Sequence, residues 1–223
     1  GNGQVDLDAP IYQGLFDPAV RHSGAIMIGA TDGVSLDPAW FTNNGQRVDL
    51  NGWGFNVTTL AYGDLQGDPT FPEAQWYTAQ FNGTSSATPV VTGAVVSLTG
   101  MVRQRHGMDL DARLARDLLR LTGTPTNGPA LIGPRPDLVA AYALADTGIG
   151  EISGLVSDQT TGLPLANVLV SVSGGGSSVL TQSDGTWRLP LLVGPVELLF
   201  SQFAYEDGSL IGTITPGGSA LAN

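Results

Sequence analysis

The 223-residue chain contains no cysteine. Disulfides, thiolate catalysis and cysteine metal sites are therefore excluded, although the compartment stays open. Cations are scarce: nine Lys and Arg stand against twenty Asp and Glu, for a net charge of −11. So few cations cannot neutralise a run of phosphates, and nucleic acid is not expected as a partner. An acidic surface of this kind serves solubility. The longest apolar stretch is interrupted by Gly and Thr, so no membrane span is expected. No signal peptide and no initiator Met are visible; the chain opens on Gly1-Asn2-Gly3 and is expected to begin inside a longer polypeptide. The two histidines, His22 and His106, form no His-x-x-x-His or Glu-x-x-His pattern, and no metal or other cofactor is expected.

What is present is a core. Hydrophobic residues make up 42% of the chain, which is long enough for one large or two modest domains. The texture changes near Gly148. Before it, Gly24 to Ala30 reads as a buried strand and Arg47 to Leu50 as a second, short one. Thr84 or Ser85 can cap a helix running to about Arg105, with Pro89 in its first turns. Val90, Val91, Ala94, Val95, Leu98, Met101 and Val102 cover most of its circumference, which predicts a buried helix. Asp111 caps another helix lined by Leu114, Leu118 and Leu121 and ended by Gly123, and Pro136 to Ala145 makes a third. Strands mixed with helices predict an α/β domain over residues 1–147.

After Gly148 the pattern becomes short strands: Glu151 to Ser157, Asn167 to Val172, Ser177 to Thr181, Thr186 to Leu189 and Val196 to Phe203. Asp184-Gly185 is a hairpin signal, and the spacing predicts an all-β sandwich over residues 148–223. Gly174-Gly175-Gly176 lacks the Lys-Ser/Thr of a phosphate loop and reads as a strand connection. Trp187 is expected in the core.

The chemistry concentrates at Asn82-Gly83-Thr84-Ser85-Ser86-Ala87-Thr88-Pro89. Small residues crowd a serine at the start of an apolar helix. The positive end of the helix dipole lies beside its hydroxyl, and its backbone N–H, unpaired in the first turn, can donate to an oxyanion. An arbitrary serine before a helix is most simply an N-cap. The segment is not Gly-x-Ser-x-Gly, so no nucleophile elbow is implied.

Gly83-Thr84-Ser85-x-Ala87-x-Pro89 followed by Gly93 resembles the serine motif of the subtilisin-like proteases. Other segments are similar to that family in its own order. Gly1-Asn2-Gly3 resembles the turn that carries the oxyanion-hole asparagine, and Ala25 to Ala30 the core strand after it. Trp40-Phe41-Thr42-Asn43-Asn44-Gly45 resembles the family's Phe-Ser-Asn-x-Gly, with Thr42 replacing the usual serine. Val48 to Gly54 resembles a segment usually ending in Ala-Pro-Gly, of which only Gly54 is kept. The resemblance implies that Ser85 is the nucleophile of a serine endopeptidase and that the Asn2 amide binds the oxyanion, with protein or peptide as substrate.

It also implies an Asp and a His before Asn2, which this chain lacks; the chain alone is expected to be inactive, and its partner is the missing N-terminal half of the protease domain. His106 cannot substitute. It lies 21 residues beyond Ser85, roughly 30 Å along a helix, while a base must sit within about 3 Å; it reads as a cation at a helix C-terminus. His22 precedes a strand and reads as a surface loop. Calcium is common among relatives of the family, and Asp6, Asp8 and Asp17 could contribute, but no loop spacing argues for a site. The resemblance further implies an extracellular or cell-surface location.

Residues 150–215 resemble the carboxypeptidase-regulatory-like domains, through Gly154 to Asp158, Thr161 to Val170 and the Asp-Gly-x-aromatic-x-Leu-like run Thr181 to Leu189. Nothing there is catalytic. A reading from another class stays open: a non-catalytic adhesion or scaffolding protein with a decayed protease-like domain.

Overall fold

In the computed structural model, residues 1–20, 23–67, 70, 72–174, 176–216 and 219–222 are described. His22 and Gly175 lie outside the described residues. The chain divides into two compact units: Gly1–Arg21, Ile26–Ser97 and Leu119–Leu138 form the first, and His22–Ala25, Leu98–Leu118 and Val139–Asn223 the second.

The first unit is built on two parallel strands, β1 (Ile28–Thr31) and β2 (Leu50–Trp53), with Ile28 opposite Leu50 and Thr31 opposite Trp53. Both strands start later than the apolar pattern predicts, and ahead of β1 a side chain takes a backbone group that a ladder would use. The Met27 N–H donates to the Asp49 carboxylate at 2.8 Å, and that carboxylate is buried and paired with Arg47 and Arg120. Asn51, a residue that ordinarily disfavours a strand, is fully buried inside β2. There its Nδ2 donates to the Gly133 carbonyl at 2.7 Å and its Oδ1 accepts from the Thr31 hydroxyl at 3.2 Å. The buried amide is thus satisfied on both atoms.

An antiparallel pair follows, β3 (Val57–Leu60) and β4 (Tyr77–Phe81), and β4 leads into α1 (Thr84–His106). The helix is not buried all round, contrary to what its composition predicts. Ala87, Val91, Leu98 and Val102, at helical spacing, are buried, and Ala87 packs with Ala30, Ala39 and Phe41. The other side is open: Val90 is 48% and Val96 65% exposed. By length and composition alone α1 could cross a membrane, so its Gly and Thr residues do not exclude a span. The buried stripe is what argues for a core helix.

Asp111 caps α2 (Ala112–Thr122) as predicted, its Oδ1 accepting the Leu114 N–H at 2.7 Å. Leu114 and Leu118 are buried, with Ala115 and Leu119 completing the face; Leu121 points out at 66% exposure. The helix α3 (Leu138–Gly148) starts two residues past Pro136 and extends beyond Ala145.

The second unit carries seven strands: β5 (Ile149–Leu155), β6 (Leu169–Val172), β7 (Ser178–Leu180), β8 (Thr186–Leu192), β9 (Gly194–Ser201), β10 (Gly208–Ile214) and β11 (Ser219–Ala222). One sheet has the order β10-β9-β6-β7 and the other β11-β5-β8. Ile152, Trp187, Leu189 and Leu191 from the second sheet share one buried apolar cluster with Val170, Leu198 and Ile214 from the first. Asp184-Gly185 does make a tight turn: Gly185 has φ +76°, and the Gln182 N–H donates to the Thr186 carbonyl at 2.8 Å. The strands beside it do not pair with each other, however. β7 pairs with β6 and β8 with β5, so the turn passes the chain from one sheet to the other.

Candidate active site

Ser85 sits in the first turn of α1, exposed, and its hydroxyl makes no hydrogen bond among the described residues. Its backbone N–H also has no acceptor among the described residues, as is usual in the first turn of a helix. The turn is held from below. Ser86 is fully buried, and its hydroxyl lies 2.8 Å from the Gly83 carbonyl and 3.0 Å from the Trp53 carbonyl, tying the helix start to the end of β2. The Gly83 N–H donates to the Gly54 carbonyl at 2.8 Å, and the Gly54 N–H to the Thr31 carbonyl at 2.8 Å. Gly54 must be glycine for this approach, since a Cβ there would stand 2.6 Å from the Ala30 Cβ. Gly83 has φ +101°, a conformation that a side chain rarely adopts.

Asn2 lies against the same turn. Its Oδ1 accepts the Thr84 N–H at 2.9 Å and the Thr84 hydroxyl at 2.8 Å. With the oxygen committed to Thr84, the other end of the carboxamide is the donor: Nδ2 has no acceptor among the described residues and stands 2.9 Å from where a Cβ of Gly83 would be. The fold thus brings Asn2 to the residue preceding Ser85, across 82 positions of sequence. Two unpaired N–H groups and one unpaired hydroxyl share this stretch of surface, at the positive end of the helix dipole. Such a set can accept negative charge developing on an oxygen.

Among the described residues no His, Asp or Glu side chain is hydrogen-bonded to the Ser85 hydroxyl. His106 ends α1, and its Nε2 lies 3.1 Å from Asp146 Oδ1, an ion-pair separation without hydrogen-bond geometry. Arg105 Nε reaches the same oxygen at 3.3 Å. Among the described residues no three His, Asp or Glu side chains converge as a metal site would need. The carboxylates of Asp6 and Asp17 cap their own turns at Asp8 and Ala19, while Asp8 accepts the Gln46 N–H.

Sequence reasoning missed the roles of Thr84, Ser86 and Asn43. The Thr84 and Ser86 hydroxyls act on backbone and amide groups that are distant in sequence. Asn43 was legible only as part of a motif without a role; in the structure its side chain holds the Asn2 segment.

The chain is similar to fervidolysin from Fervidobacterium pennivorans, a keratinolytic enzyme related to subtilisin, at 19% identity and TM-score 0.49, over 90% of this chain and 36% of that one. It is similar to a lanthipeptide protease at 19% identity and TM-score 0.48, over 65% of this chain and 50% of that one. A third similar structure is a patellamide maturation protease, at 22% identity and TM-score 0.43, over 55% of this chain and 43% of that one. The chain therefore spans half or less of the length of each of these proteins. Among curated proteins none matches. A family model, that of the subtilase family, matches residues 1–130, more than half of the chain. The chain belongs to the subtilase family.

Proposed function

We propose that this chain is the serine-bearing part of an endopeptidase. Ser85 Oγ attacks the scissile carbonyl of a protein or peptide, and the Asn2 Nδ2 and the Ser85 N–H stabilise the oxyanion. The observation that carries this reading is the commitment of Asn2 Oδ1 to Thr84, which leaves Nδ2 as an unspent donor beside an unspent serine. A base and the carboxylate that orients it come from a segment preceding Asn2 in a longer protein, and the 223-residue chain alone is inactive.

That segment is the chain's partner, and the exposed stripe of α1 around Val90 and Val96 is the surface it covers. Residues 1–147 then form one portion of the protease domain. Residues 148–223 form a carboxypeptidase-regulatory-like sandwich whose two sheets share the Trp187 core. The parent acts outside the cell or at its surface, a reading supported by its membership of the subtilase family.

The test is replacement of Ser85. In the longer protein, Ser85→Ala should lower turnover by about 10⁶-fold, a magnitude taken from subtilisin. In the 223-residue chain, Ser85 should label with a fluorophosphonate no faster than an ordinary serine. Rapid labelling of the chain alone, or undiminished cleavage by the Ser85→Ala protein, would sink the reading.

A further inference from the structure

The segment around Asn2 has little stiffness of its own, since glycines flank it on both sides. Its shape is imposed from elsewhere. Asn43 Oδ1 accepts the Gly3 N–H at 3.0 Å and the Val5 N–H at 3.2 Å. The Asn43 N–H in turn donates to the Gly1 carbonyl at 3.0 Å, and the Gln4 N–H donates to the Phe41 carbonyl at 3.0 Å. One residue therefore grips the chain immediately before and immediately after Asn2. The fit is close, for a Cβ on Gly1 would stand 2.8 Å from Asn43 Nδ2.

Asn43 is itself anchored to the sheet. The hydroxyl of Thr42, 4% exposed, accepts the Ala30 N–H at 3.0 Å and donates to the Asn43 carbonyl at 3.1 Å. The path runs from β1 through Thr42 to Asn43, to the two glycines, to Asn2, and ends on Thr84 beside Ser85. An oxyanion donor works only if it is already in place, about 2.7–3.1 Å from where the charge will form. A diglycine turn left free would spread its asparagine over many positions.

We propose that Asn43 is a positioning residue for the oxyanion donor: it holds the Asn2 turn in the place from which Nδ2 can meet charge developing at Ser85. This rests on the peptidase reading above. Asn43 touches neither substrate nor reacting atoms in this role; it acts through Asn2.

The experiment uses the longer protein that carries the general base. Asn43→Leu removes the acceptor at similar volume, and Asn43→Asp keeps an oxygen in its place. Asn43→Leu should lower kcat by about 10–100-fold, the scale of a displacement of about 1 Å at a reacting centre. KM should change by less than about threefold, because the lost contact is made in the transition state. Asn43→Asp should restore kcat to within about threefold of the parent. In the Asn2→Ala background, Asn43→Leu should add almost nothing, since the donor it positions is gone. Should Asn43→Leu not fold, Asn43→Ser, which shortens the acceptor arm, carries the same expectation.

Full kcat in Asn43→Leu, failure of Asn43→Asp to restore it, or losses that multiply in the double variant would overturn the proposal and leave Asn43 a structural residue. Failure of the peptidase reading has a different signature: cleavage that survives Ser85→Ala.

Discussion

In the second unit Val170 and Leu198 are 0% exposed and Trp187 2%, enclosed by two sheets of four and three strands. In the first unit the parallel sheet has two strands, and the helix that follows leaves Val90 48% and Val96 65% exposed, with Trp53 on β2 at 49%. The Asp158 and Asp184 carboxylates of the second unit are spent on their own turns, whereas Ser85 and Asn2 in the first keep donors unspent. The second unit encloses a core between its sheets, with Phe203 and Ile211 left outside it. The first leaves apolar side chains of α1 exposed and donors at the start of that helix unspent.

The contrast is testable, and the largest effect belongs to the closed core. Trp187→Ala should cost about 3–5 kcal/mol by denaturant unfolding, the usual scale for truncating a buried aromatic. The loss should be tempered because the Trp187 Nε1–H is buried without a partner, so its removal relieves an unpaired donor. A loss under about 1 kcal/mol would mean that the second unit is looser than its burial implies.

Next is the open site. Asn2→Ala in the longer protein should lower kcat by about 10²–10³, or roughly 2.7–4 kcal/mol, with KM little changed; the magnitude is that of the corresponding change in subtilisin. Steady-state kinetics decide it, and unchanged turnover would reduce Asn2 to a turn residue.

Val96→Ser separates the two kinds of surface. In the 223-residue chain it should alter stability by no more than about 0.5 kcal/mol, as for an exposed position. In the longer protein it should cost about 1.5–3 kcal/mol, as for a buried valine. Equal, small effects in both would mean that nothing covers this face of α1.

The smallest effect is electrostatic and common to both units. The Thr161 backbone N–H and then its hydroxyl hold the Asp158 carboxyl below the ordinary carboxylate range; the Thr186 hydroxyl does so at Asp184 and the Ser35 hydroxyl at Asp32. A depressed folded-state pKa binds protons less readily than the unfolded chain does. These bonds therefore contribute stability above the unfolded carboxylate pKa and lose it as pH falls through the folded value. Asp184 is exposed and Asp32 and Asp158 are only half-buried, so solvent screens all three and the contribution is small. Urea midpoints measured between pH 5 and 2 should fall slightly less in Asp158→Asn than in the parent, and an equal fall would remove this turn from the account.

The serine motif, the core strand after Asn2 and the capped helix at Asp111 were legible because each rests on local chemistry: small residues where backbones approach, apolar periodicity, a carboxylate before a helix. The start of β1 was not, because the buried Asp49 carboxylate takes the Met27 N–H just ahead of it. Burial of α1 was over-read for a related reason: composition counts apolar residues, whereas exposure depends on whether a neighbour is there to cover them. The Asp184-Gly185 turn was readable as a turn, but not that it changes sheets, since pairing is chosen by strands that are distant in sequence.

The sequence by itself determined the local elements and the residue types at the site, since helix caps, tight turns and a serine beside a helix start depend on near neighbours. Only the tertiary structure decided that Asn2 turns its oxygen to Thr84 and that Asn43 grips both sides of Asn2. Those hydrogen bonds join residues 82 and 40 positions apart. No short-range preference encodes them; they exist because β1 and the start of α1 are packed into one unit.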